Sequence, residues 1–136
     1  CACGYTWYYP CNVGIFLMFF TQHKTLTNDT ETTVLTVPNG YILHISYVFV
    51  ANHGGSTNSL DLWWENSAGV DQLYFFDGTS IGAGNKEVLG GQSETPIFVL
   101  HQGEVVKAKA SASSGNMEIA FTFNLISQPS FLNNYT

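Results

Sequence analysis

Apolar and polar residues alternate along most of this chain with a period of two, the spacing that turns one face of a strand inward and the other outward. The clearest run lies near the C terminus. Met117, Ile119, Phe121, Phe123 and Leu125 share one face, and Asn116, Glu118, Ala120, Thr122 and Asn124 share the other. Leu60, Leu62 and Trp64 point one way while Asp61, Trp63 and Glu65 point the opposite way. Residues 41–50 read as a long strand with Tyr41, Leu43, Ile45, Tyr47 and Phe49 on its apolar face, and His44 and Ser46 behind it. In 104–111, Val106, Ala108 and Ala110 oppose Lys107 and Lys109. Shorter strands are expected over 32–37, 72–76 and 97–100.

Turn residues separate these runs. Val37-Pro38-Asn39-Gly40 suits a turn with Pro second and Gly fourth. His53-Gly54-Gly55-Ser56 reads as a loop, Asp77-Gly78 as a strand end, Gly82 to Gly91 as a glycine-rich connection, and Gln102-Gly103 as a turn. Seven or eight such strands with no helical period predict an all-β fold, an antiparallel β-sandwich or jelly roll.

The opening segment breaks the pattern. CACGYTWYYPCNVGIFLMFF carries Tyr5, Trp7, Tyr8, Tyr9, Phe16, Phe19 and Phe20 without one charge, and Gly4, Pro10 and Gly14 interrupt any period. It reads as an extended arm, followed by a polar, Thr-rich connector over 21–33. The expected division is arm and connector over 1–31, then a sandwich body with a short tail over 32–136. The arm's aromatics are the leading candidates for a partner interface, and packing back on their own body is the alternative. Trp63 joins them because the alternation aims a large ring away from the core, and cover by a neighbouring loop or sheet edge is the alternative.

Composition narrows the function. Only 10% of residues are charged, against about 25% in a typical soluble domain, and an uncharged surface is best tolerated where a partner covers it. Net charge is -6, and all four basic residues are lysines. Nucleic acid is therefore not an expected partner, because phosphate and base contacts draw on Lys and Arg. The longest apolar run, Val13 to Phe20, is well short of the ~20 residues that span a bilayer, and it lacks the positive flank of a signal peptide.

Candidate chemistry is sparse. Cys1, Cys3 and Cys11 do not match a zinc spacing. Free thiols, a Cys1–Cys11 or Cys3–Cys11 bridge, and a processed lipoprotein start remain open readings. His23, His44, His53 and His101 lie in four separate segments, in no metal or triad motif. Asp61 and Glu65 flank Trp63 on one strand face, but i and i+4 on a strand sit about 13 Å apart. Glycosidase carboxylates stand roughly 5–9.5 Å apart. No catalytic residue, metal or cofactor is expected, and the chain reads as a non-enzyme.

One resemblance sharpens this. The β-branched strand at 32–37, Val37-Pro38-Asn39-Gly40, the long strand ending at Ala51-Asn52, the Gly/Ser loop and the strand at 60–64 are similar to small β-sandwich proteins of tailed bacteriophage particles. Leu100 to Ala108, LHQGEVVKA, fits the same pattern. The likeness covers roughly 32–126 and leaves out the arm. It implies a structural virion protein without enzymatic activity. Capsid decoration (cement) comes first, and neck, head-fibre or tail positions follow. It also implies other virion proteins as partners, the major capsid protein foremost, and a homo-oligomer such as a trimer. A carbohydrate- or receptor-binding sandwich, resting on Trp63 as a stacking platform, is the competing reading.

Overall fold

The computed structural model describes residues 19–26, 29–90, 96–111 and 116–128. Among these residues nine strands form in chain order: β1 (Phe19–Leu26), β2 (Thr32–Thr36), β3 (Tyr41–Asn52), β4 (Asn58–Glu65), β5 (Asp71–Ile81), β6 (Lys86–Gly90), β7 (Phe98–Leu100), β8 (Val105–Ala110) and β9 (Met117–Ser127). They build two antiparallel sheets, and among the described residues no helix occurs. One sheet runs β1-β9-β3-β6, with β7 also paired to β3, and the other runs β2-β8-β4-β5. The fold is the expected β-sandwich.

The alternating residues supply the core. Met117, Ile119 and Phe121 of β9 face Leu60 and Leu62 of β4 and Val106 and Ala108 of β8 in one buried cluster. Phe121 is wholly buried, and sequestering a side chain of that size is worth about 1.5–3 kcal/mol.

Four features differ from the sequence reading. First, the polar stretch 21–26 is not a connector. With Phe19 and Phe20 it forms β1, which pairs residue for residue with β9 from Phe19↔Asn124 to Leu26↔Met117. From Phe20 to Lys24 it is exposed, and of residues 20–26 only Leu26 is buried, so these side chains carry no alternation to read. Second, the glycine-rich connection contains β6, a short edge strand on β3 with both Lys86 and Glu87 exposed. Third, β5 continues through Asp77-Gly78 to Ile81, its register shifting against β4 on the way. Gly78 takes φ +56 there, a conformation most side chains resist.

The fourth is a bulge in β3. Ile45 pairs with Phe123 and Tyr47 with Thr122, leaving Ser46 as an extra residue between them. The inward parity therefore switches. Leu43 and Ile45 are buried before the bulge, Val48 and Val50 after it, and Tyr47 and Phe49 turn to the outer face. The turn before β3 also sits one residue later than expected. Tyr41 N–H donates to Pro38 O at 3.3 Å, which places Gly40 third with φ +81, as a type II turn requires.

Candidate interaction surfaces

Each sheet has an outer face, and their chemistries differ. On the four-stranded sheet, β4 presents Asp61, Trp63 and Glu65 outward between β8 and β5. Register sets Trp63 beside Lys107 on one side and Tyr74 on the other. The Trp63 and Tyr74 rings stack at 5.6 Å with 22° between planes. Glu65 Oε1 accepts from Lys107 Nζ at 2.7 Å and from Trp63 Nε1 at 3.3 Å. The Lys107 hydrogen bond, above all, holds the Glu65 carboxyl below its ordinary pKa. It outweighs the opposing effect of burial, and the Trp63 N–H adds to it.

Trp63 is therefore only 3% exposed. Tyr74 and the Lys107–Glu65 pair cover it, as the alternative reading of this position expected. What a visitor to this face meets is Tyr74, 43% exposed, its hydroxyl donating to Asp71 Oδ2 at 3.4 Å. The two acids flanking Trp63 have structural work, since Asp61 Oδ1 accepts from Gly78 N–H at 2.6 Å and Glu65 is ion-paired.

The outer face of the five-stranded sheet is nearly uncharged among the described residues. Register lays out rows across β1, β9, β3 and β6: Thr21, Thr122, Tyr47 and Gly90 in one, His23, Ala120, Phe49 and Val88 in the next. Val88 is exposed, and Tyr47, Phe49, Ala120 and Thr122 are half-buried. Charge gathers only at one end of this face, in the row of Thr25, Glu118, Ala51 and Lys86. There Glu118 bridges His53 Nε2 at 2.8 Å and His23 Nε2 at 3.6 Å. Among the described residues no set of His, Cys, Asp and Glu is arranged to hold a metal ion.

A third feature is a groove at one end of the sandwich, where β1 and β2 stand across from each other at the sheet edges. Phe20, Leu35, Pro38, Leu43, Phe123 and Leu125 line it, with Gln22 and Thr36 as its polar members, around about 220 Å³. Phe20 stacks on Phe123 at 5.8 Å and is still 39% exposed.

Of the residues singled out from sequence, Tyr5, Trp7, Tyr8, Tyr9 and Phe16 lie outside the described residues. Phe19 opens β1 opposite Asn124. Phe20 and Trp63 do not converge: one edges the groove and the other lies on the outer face of the opposite sheet. Sequence reasoning missed Tyr47, Phe49 and Val88 as outward residues. The run Tyr47-Val48-Phe49-Val50 is apolar in both parities, so nothing local marks which parity faces out. Tyr74 as the cover of Trp63 follows only from the β4–β5 register.

No protein-family profile matches this sequence, and no curated protein is significantly similar to it.

Proposed function

We propose that this protein is a non-enzymatic structural component of a tailed-phage virion, a capsid decoration protein that stabilises the head through contacts with the major capsid protein. The observation that carries this reading is the outer face of the five-stranded sheet, where Thr, Ala, Tyr, Phe and Val residues lie side by side and, among the described residues, charge is confined to one end. Interface cores are depleted in charge and enriched in aromatics. The low charge of the whole chain and the resemblance over 32–126 support the same conclusion. Weak contacts per copy suffice in such a role, because repeated subunits act together.

Co-sedimentation with undecorated capsids tests it. The full chain is expected to pellet with capsids, and a Val88→Glu/Thr122→Lys variant, altered on the outer face alone, is expected to lose at least about tenfold in affinity. Circular dichroism checks that this variant keeps its fold. A protein that ignores capsids sinks the decoration assignment and moves it to the neck, head fibre or tail. Glycan binding lost on Tyr74→Ala would favour the carbohydrate-binding class.

A further inference from the structure

An asparagine followed by glycine is open to attack from its own backbone, because a residue without a side chain leaves the next amide nitrogen unhindered. The sequence holds one such pair, Asn39-Gly40. The fold sets it in the turn between β2 and β3, where Asn39 is exposed. The reaction available there needs only water. Gly40 N attacks Asn39 Cγ and gives its proton to solvent, the carboxamide C–N bond breaks, and ammonia leaves. The five-membered imide so formed takes up one water at either carbonyl. Position 39 becomes aspartate or its β-linked isomer, with no change in oxidation state.

The native turn withholds the geometry this reaction requires. Gly40 has φ +81 and Tyr41 N–H donates to Pro38 O, so Asn39 is the first central residue of the type II turn. Such a residue has ψ of about +120°. For an L-residue that angle brings the following nitrogen toward Hα, whereas closing the ring needs it beside Cβ. Gly40 N–H is also engaged, donating to Gln102 Oε1 at 2.8 Å. A nitrogen held as a donor keeps the proton it must lose to attack. Reaching the reactive shape therefore rotates the peptide between Asn39 and Gly40 and breaks the bond to Gln102.

Gln102 is well placed for this because its own turn is fastened through the backbone. Gly103 N–H donates to Val37 O at 3.1 Å, and Val37 N–H to Glu104 O at 3.0 Å. The same kind of tie recurs in the one Asp-Gly pair of the sequence, Asp77-Gly78, which can close an equivalent ring by losing water. There Gly78 N–H donates to Asp61 Oδ1 at 2.6 Å.

We propose that Asn39 is a deamidation site latent in the fold, and that Gln102 is the latch that keeps it closed by holding Gly40 N–H. Conversion places a carboxylate next to Pro38, a residue of the groove wall, and the β-linked form also lengthens the turn backbone by one atom. This inference does not depend on the virion reading, and its test needs no capsid.

The full-length protein is aged in mildly alkaline buffer, and conversion at position 39 is followed by peptide mass spectrometry. Labelling with an isoaspartyl methyltransferase reports the β-linked product. The native protein is expected to convert at least about tenfold more slowly than the same chain unfolded in guanidinium chloride, because the turn must open first. Gln102→Ala is expected to speed native conversion about two- to tenfold, the range that loss of one hydrogen bond allows. Its melting temperature is expected to change little, since the backbone bonds between the two turns remain. Gln102→Glu keeps an acceptor and is expected to hold the rate at or below that of wild type. Equal rates in the native and unfolded protein would overturn the latent site, a comparison that stands even where a variant folds poorly. A Gln102→Ala rate equal to wild type, or Gln102→Glu as fast as Gln102→Ala, would overturn the latch.

Discussion

Glu65 Oε1 gathers two donors at one point, the Lys107 ammonium and the Trp63 indole N–H, and the Trp63 ring is stacked in turn against Tyr74. A buried carboxylate is tolerable there only because it is paired. With its folded pKa held down by Lys107, Glu65 adds stability that is present above the ordinary glutamate value, about 4.3. That stability is lost as pH falls through the lower, folded value. Lys107 has its pKa raised, first by the hydrogen bond to Glu65, so its contribution holds below the ordinary lysine value and fades as pH climbs through the raised one. Replacing Lys107 by Met removes the largest influence that lowers the Glu65 pKa, so much of this acid-sensitive stability is expected to go with it. Urea midpoints measured across pH are therefore expected to show a wide gap between wild type and Lys107→Met at pH 7, closing toward pH 3. A gap of constant width would show that the pair does not act this way. The alternation in residues 60–65 did place Trp63 and Glu65 on the outward side. It left open whether the Trp63 ring is covered, because the cover arrives from β5 and β8, set by strand pairing and not by neighbours in the chain.

At the scale of the element, the bulge in β3 decides which aromatic residues face the world. Ser46 is left between two ladder pairs, and its carbonyl lies against Gly90 at the end of β6, where a Cβ built on the glycine would come within 2.4 Å of Ser46 O. Gly90 also holds φ +97. Both constraints point one way. Gly90→Ala is expected to destabilise by about 2 kcal/mol or more, and chemical denaturation measures it directly; an effect under about 0.5 kcal/mol would mean that β6 shifts freely away from the bulge. Strong alternation made β4, β8 and β9 legible in advance. Each has one face in the core. The edge strands β1 and β6 were not legible, since a strand exposed along most of its length has no reason to alternate. In β3 the period was visible but its phase was not, because the insertion of one residue leaves no mark in a segment where Val48 and Val50 are as apolar as Tyr47 and Phe49.

For the whole molecule, two sheets with unlike outer faces mean that its associations have unlike physics. The face of Tyr47, Phe49 and Val88 carries almost no charge, so assembly through it gains little from ion pairing. Capsid binding is expected to change less than about threefold between roughly 0.05 and 0.5 M salt, a range over which screening would suppress a charge-driven contact. Binding titrations at the two salt levels decide it, and a steep loss at high salt would move the contact to the charged end around Glu118 and Lys86. The sandwich class was readable from the sequence because it follows from counting alternations; the sheet order was not, since pairing between distant strands leaves no local signal. That order also has a cost in time. The first described strand, β1, has its whole ladder on the last, β9, so Phe20 emerges from the ribosome roughly a hundred residues before Phe123. At about 5–20 residues per second, the strand waits on the order of 5–20 s for its partner β9. Slowing synthesis over that interval is therefore expected to change how much of this protein reaches its folded form.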